Sequence, residues 1–253
     1  MIKRDEITKY LANLFEIEKI DDYAYNGLQI EGTEDIKKIG FSVDFCQKTA
    51  EEAIKNNCQM LICHHGMMWK NILPVTGFNK KRIKTMLVND VSLYAVHLPL
   101  DMHLELGNNI GIAKLFDNFE VIGQFAYFKG KPIGVKIKLD TPKKLSEIKK
   151  LIDEKLKTNS ILISNEENKI ISTIGIISGS SASDLSEAIK EELDLFITGE
   201  TSHAQYHTAM ENNTSMLCAG HYATETTGIK LLMHHIKEKF DVETEFFDFP
   251  TGI

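Results

Sequence analysis

Met60-Leu61-Ile62-Cys63-His64-His65-Gly66 is an apolar run of strand character that stops at two neighbouring histidines and a glycine. Successive side chains on a strand point to opposite faces, so adjacent histidines can grip one locus only if the chain leaves the extended form there. Gly66 is expected to permit that departure. A strand-end histidine is by default only a hydrogen-bonded polar residue, and what raises this pair above that reading lies elsewhere in the chain.

The same pattern recurs. Ile39 to Val43 reads as a buried strand ending at Asp44, and Val91 to Val96 as a strand running into His97-Leu98-Pro99-Leu100-Asp101. Leu195 to Thr198 runs into Gly199-Glu200-Thr201-Ser202-His203, and Ser215 to Ala219 into Gly220-His221-Tyr222-Ala223-Thr224-Glu225. Strands alternate with helical patterns through most of the chain, which predicts an α/β fold with largely parallel or mixed sheets. Ligands in such sheets gather beyond the carboxyl ends of strands. Ligand-type residues at several strand ends therefore point to one kind of chemistry: His64 with His65, His97 with Asp101, Glu200 with His203, and His221 with Glu225. A helix beginning at His221 would put its imidazole and the Glu225 carboxylate on one face. Imidazole with carboxylate and no thiolate suits Zn, Mn, Fe, Co or Ni and does not choose among them. Five strong ligand candidates exceed what one tetrahedral centre with an open position needs, whereas two ions sharing a carboxylate would use them all.

Other stretches carry weaker signals. Ile7, Tyr10, Leu11, Leu14 and Phe15 predict an opening amphipathic helix, and Pro99 argues for a loop rather than a helix between His97 and Asp101. Trp69 is read either as a wall of the histidine site or as ordinary core cover. Asn79-Lys80-Lys81-Arg82-Ile83-Lys84 is a solvated helix face or a small phosphate-docking site. A soft shift near Phe125 to Lys131 is the candidate domain boundary. Beyond it Ile133, Val135, Ile137 and Leu139 alternate as a half-exposed strand, Thr141-Pro142 is expected to open a helix, and Asn165-Glu166-Glu167-Asn168 a hairpin turn. Ser178-Gly179-Ser180-Ser181-Ala182-Ser183-Asp184 is a small polar turn, either a tight βα connection or a source of backbone amides for an anion.

Composition excludes several classes. The 253 residues carry 29 Lys plus Arg against 36 Asp plus Glu, a formal net charge of -7, which argues against a broad footprint for nucleic acid or an anionic membrane. The start lacks the apolar core of a secretory signal, no run approaches the ~20 residues of a membrane span, and a cytoplasmic protein is expected. Cys46, Cys58, Cys63 and Cys218 show no CxxC spacing and read as reduced core residues.

Tyr23-Ala24-Tyr25-Asn26-Gly27-Leu28-Gln29, His64-His65-Gly66, His97-Leu98-Pro99-Leu100-Asp101, Thr198-Gly199-Glu200 and Gly220-His221-Tyr222-Ala223-Thr224-Glu225, in that order, resemble the Nif-three-like family, also called GTP cyclohydrolase 1 type 2 homologues. The likeness spans nearly the whole chain. It implies two α/β lobes, here 1–126 with His64, His65 and Asp101 and 127–253 with His221 and Glu225, with a dinuclear metal site between them. It implies that His64, His65, Asp101, His221 and Glu225 bind two divalent ions, Glu225 bridging, with His97, Glu200 and His203 as supporting candidates. It further implies a homohexamer and a metal-dependent hydrolase of GTP cyclohydrolase type, acting on a nucleotide or related small molecule. A non-catalytic metal-binding regulatory or scaffold protein is the alternative.

Overall fold

Burial on both faces shapes the sheets of this computed structural model, which describes residues 1–166 and 168–253. In chain order, β1 (Ile2–Lys3) leads into helix α1 (Arg4–Leu14), followed by β2 (Gly27–Ile30), β3 (Asp35–Ile36), β4 (Lys38–Asp44), α2 (Gln47–Lys55), β5 (Met60–His65), α3 (Gly77–Val88), β6 (Ser92–Ala95) and the short helix α4 (Leu98–Met102). Next come α5 (Asn108–Ala113), β7 (Phe119–Phe128), β8 (Lys131–Lys144), α6 (Leu145–Leu156), β9 (Ile161–Ile163), β10 (Ile170–Ile176), α7 (Leu185–Lys190), β11 (Leu195–Thr198), α8 (His203–Glu211), β12 (Ser215–Cys218), the long helix α9 (His221–Phe240) and β13 (Glu243–Phe246).

The chain divides into two compact units, one of residues 1–100 with 229–249, the other of 101–228 with 250–253. This division is not the sequential one expected at 126/127. The composition shift at Phe125 to Lys131 falls at the turn of the β7–β8 hairpin, whose strands pair antiparallel from Phe119↔Leu139 to Phe128↔Lys131.

The first unit holds a five-stranded sheet in the order β13-β4-β5-β6-β2, parallel except for β2. Its central strands are buried on both faces, which is why Met60 to Cys63 reads as a continuous apolar run rather than an alternation. Leu61, Cys63, Ala50, Ala53, Met86 and Leu93 pack one of its cores. Strand β5 stays extended and paired through His65, opposite Asp44, so the histidines do not leave the strand as expected. Gly66 also lacks a positive φ; what requires glycine is space, because a Cβ there would lie 2.5 Å from both the Ala95 Cβ and the Gln29 amide.

The second unit holds a six-stranded sheet in the order β7-β8-β10-β11-β12-β9, with β10, β11 and β12 parallel and the flanking pairs antiparallel. Val135, Ile137 and Leu139 of β8 face a core shared with Ile148, Ile174 and Leu195, while Lys138 and Asp140 are exposed, as the alternation predicts. Pro142 does not start a helix. It lies in β8 where the register with β10 shifts between Ile171 and Thr173, a place where a missing amide donor is tolerated. The hairpin turn expected at Asn165 to Asn168 includes Glu167, which lies outside the described residues; the flanking β9 pairs with β12 and not with β10.

Replacing Gly66 by Ala is expected to cost about 1–3 kcal/mol, the usual range for an inserted methyl in a filled interior. Urea unfolding of the purified variant measures it, and a stability equal to the parent would refute the close-packing account of Gly66.

Candidate metal centre

In the first unit, parallel strands deliver their carboxyl ends side by side: β4 ends at Asp44, β5 at His64 and His65, and β6 just before His97. The ring centroids lie 4.6 Å apart for His64 and His65, 5.1 Å for His64 and His97, and 5.5 Å for His65 and His97. Each ring is held at Nδ1 by an oxygen. His64 Nδ1 lies 3.0 Å from the Val96 carbonyl, His65 Nδ1 2.8 Å from Asp44 Oδ1, and His97 Nδ1 2.9 Å from Asp22 Oδ1. A carbonyl or carboxylate can only accept, so each Nδ1 carries a proton, and Nε2 presents its lone pair when the ring is neutral. Nitrogens of the three rings lie within 4.8 Å of one another, a group that could hold a metal ion. Anchoring of the far nitrogen is the usual device for aiming a histidine ligand.

Asp22 is the busiest anchor. Besides His97 it accepts from the Ala24 amide at 3.1 Å, the Leu98 amide at 3.0 Å and Asn26 Nδ2 at 2.8 Å, while Asn26 Oδ1 accepts from the His97 amide at 2.7 Å. Burial works against its charge, but the hydrogen bond and charge of His97 and the Asn26 and Ala24 donors outweigh it and hold the Asp22 carboxyl down to about 2. Gln29 sets the loop after the histidines, accepting from the Met67 and Met68 amides at 2.7 and 3.0 Å. The sequence reading gives no role to the side chains of Asp22, Asn26, Asp44 and Gln29, although Asn26 and Gln29 lie in the first motif of the family resemblance. Asp44 ends an apolar strand just as the histidines do, and that is the available signal.

In the second unit the residues lie on other element ends. Asp101 sits in α4, because Pro99 falls in the first turn of that helix, where its missing amide costs nothing; the expected loop is a helical turn. Asp101 is 7% exposed, and its Oδ1 accepts from Asn108 Nδ2 at 2.8 Å and Ser178 Oγ at 2.9 Å. Helix α9 begins at His221, and His221 Nε2 lies 3.1 Å from Glu225 Oε1 one turn on, as the spacing predicts. His221 Nδ1 lies 2.5 Å from Glu200 Oε1, and Glu200 Oε2 accepts from Ser180 at 3.0 Å. Burial alone would lower the His221 imidazolium, but Glu225 and Glu200 overcome it and raise it to about 9. His203 opens α8 as an exposed residue and does not join a metal-type group among the described residues.

The turn from Ser178 to Asp184 connects β10 to α7. Its Ser178 amide donates to Asn109 Oδ1 at 2.7 Å and its Gly179 amide to Thr224 Oγ1 at 3.1 Å, so neither amide is turned toward an anion. Gly179, at φ +67, brings the turn against the acid: a Cβ there would lie 2.4 Å from Glu225 Oε1. Lys80, Lys81 and Lys84 are exposed on α3, the solvated-face reading of the basic run. Cys63 does not join a metal-type group among the described residues; burial raises its thiol pKa strongly, and its Sγ lies 3.1 Å from Ser42 Oγ.

The fold and these side chains define an α/β protein with several His, Asp and Glu groups that could hold metal ions. The chain belongs to the Duf34/NIF3 (NGG1p interacting factor 3) family, whose model matches residues 2–251. A relative from Pyrococcus abyssi named GTP cyclohydrolase 1 type 2 homolog is 40% identical over 252 residues, covering 100% of both chains. One of the same name from Pyrococcus horikoshii is 42% identical, covering 99% of both. Among solved structures, protein ybgI, described as of unknown function, superposes with a TM-score of 0.92 at 33% identity over 100% of both chains, and TTHA1606 from Thermus thermophilus with 0.89 at 31% over 100% of both.

The depressed Asp22 pKa makes a signed prediction. A carboxyl at about 2 in the folded chain, against an ordinary value of 3.8, contributes stability that is present above pH ~4 and lost as pH falls toward 2, an effect of about 2 kcal/mol. The stability gap between the parent and Asp22→Asn in urea should therefore shrink from pH 5 to pH 2. A gap independent of pH would show that the Asp22–His97 pairing does not hold the carboxyl down.

Proposed function

We propose that the protein is a metal-dependent hydrolase with a dinuclear centre, acting on a nucleotide or related small molecule in the manner of a GTP cyclohydrolase. The observation that carries this reading is the trio of imidazoles anchored at Nδ1, which aims three Nε2 atoms from adjacent strand ends. The family membership and the names of the relatives support the same direction.

In this reading His64, His65, Asp101, His221 and Glu225 would hold two divalent ions of the Zn, Mn, Fe, Co or Ni kind, and Glu225, with two carboxylate oxygens, would serve both. Bound ions would supply Lewis acidity and bring the pKa of water toward neutrality. The chain's own groups do the positioning. Asp44 and the Val96 carbonyl fix the His65 and His64 rings, and Asp22 fixes His97, which in this reading would exchange a proton at Nε2. Glu200 accepts the Nδ1 proton of His221 and is steadied by Ser180. We place the activity in the cytoplasm, a compartment in which the four free cysteines remain thiols, and in a closed homohexamer.

Elemental analysis of the metal-loaded protein should find two ions per chain. Glu225→Gln should lose both ions together and, with them, turnover of GTP or of another nucleotide or phosphoester in a screen, while its circular dichroism melt shows a retained fold. Asp44→Asn, acting through His65, should weaken metal uptake by about 10–100-fold. Full two-ion loading of Glu225→Gln at unchanged affinity would overturn the bridging role. A doubly loaded parent inert toward the whole panel would favour a metal-binding regulatory or scaffold protein.

The assembly has its own check. Light scattering of the purified chain should give six times the mass of 28.6 kDa, and a monomer at micromolar concentration would exclude the closed ring.

A further inference from the structure

Beside the histidine trio, and within the same unit, lies a cavity of about 360 Å³, within the range of small-molecule sites at roughly 300–1,000 Å³. Its floor is Met68, Leu73 and Ile83, side chains packed on the core of the first unit, and its walls include Tyr25, Trp69 and Val75. Backbone pairing holds those walls in place. Ala24 and Trp69 form an antiparallel bridge, the Tyr25 amide donates to the Met68 carbonyl at 2.9 Å, and the Lys70 amide to the Tyr23 carbonyl at 2.8 Å.

Trp69 is shared between the cavity and the histidines. Its ring stands edge-on to His97 with centroids 5.2 Å apart and lies 6.0 Å from His65. The charge available at the rim is Lys70, and Asp21 pairs with it. A site with aromatic walls, an aliphatic floor and a compensated rim charge favours an uncharged flat ring over an anion, since rings gain from offset or edge contacts with Tyr and Trp beyond the area they bury. Tyr25 is 55% exposed, Trp69 39% and Val75 58%, so the walls stand open to solvent and to an entering ring.

We propose that this cavity binds the neutral planar heteroaromatic end of the substrate, stacking it against Trp69 so that the remainder of the molecule extends toward His65 and His97. The assignment rests on the hydrolase reading only for the direction in which the substrate lies. Ring binding itself needs no metal.

Trp69 is the single tryptophan of the chain, so its fluorescence and its indole N–H cross-peak report on this cavity and the histidines beside it and on no other part of the chain. Chelator-treated protein titrated with guanosine and with caffeine should show a saturable change in both signals. Val75→Glu, which alters an exposed wall and leaves the core untouched, should weaken that binding at least about tenfold. Val121→Glu, at an exposed apolar position of the other unit, should leave it unchanged. Cyclohexanol at matching concentrations should not compete.

A linear, unsaturable response to both rings would overturn the proposal. So would saturation that survives Val75→Glu, or effective competition by cyclohexanol. Because these measurements use metal-free protein, their failure leaves the hydrolase reading to its own turnover test, and an inert enzyme with intact ring binding would sink that reading and not this one.

Discussion

Three imidazoles can serve one locus only if something forbids their rotation, and here that constraint is an oxygen acceptor at each Nδ1. The acceptors come from the same unit that supplies the rings: a backbone carbonyl after β6, the carboxylate ending β4, and Asp22 from the segment before β2. Parallel pairing makes this possible, because it brings the carboxyl ends of β4, β5 and β6 into register, with Asp44 directly opposite His65. Removing an anchor would leave the ring in place but free to turn. Asp22 in addition uses its carboxylate to hold the Ala24 amide of its own turn and the Leu98 amide that follows His97.

The strand-helix alternation was legible because apolar runs buried on both faces have few residue types available to them, so β4, β5, β6, β11 and β12 stand out from the letters alone. The metal-type residues were legible because polar groups at the ends of such runs break the pattern abruptly. Asp22 was not, since it lies in a turn-like stretch with no periodicity, and its partner His97 is 75 residues away. Pro99 and Pro142 misled for the same reason: proline excludes a backbone donor, and whether that excludes a helix or a strand depends on which donors the position needs. At the first turn of α4 none is needed, and at the irregular pairing of β8 with β10 the ladder is already interrupted. The division into units was also hidden, because each is assembled from pieces distant in sequence and composition follows sequence.

Gly66 shows how a correct residue can be chosen for an incorrect reason. The sequence suggests conformational freedom, whereas the geometry demands the absence of a side chain where Gln29 and Ala95 close in. The distinction has a consequence for the histidines, since a backbone that stays extended through His65 retains its ladder with β4 and so holds both rings on a rigid element. Precision of that order is what a site built on strands has over one built on loops.

The second unit makes the complementary argument through its acids. Asp101 is 7% exposed and Glu225 3%, and a carboxylate taken from water is costly unless donors or a positive charge answer it. Asn108 and Ser178 give Asp101 hydrogen bonds that bring no charge, and His221, whose Nδ1 faces Glu200, can donate to Glu225 at Nε2 when it carries a second proton. Replacing each acid together with its partners by well-packed apolar residues would, on stability grounds alone, be neutral or favourable, whereas removing the acid alone would strand its donors. A glycine turn makes room for Glu225 and not for a Cβ, and both acids belong to groups that could hold a metal ion, so the unit's polar interior calls for an explanation beyond the fold.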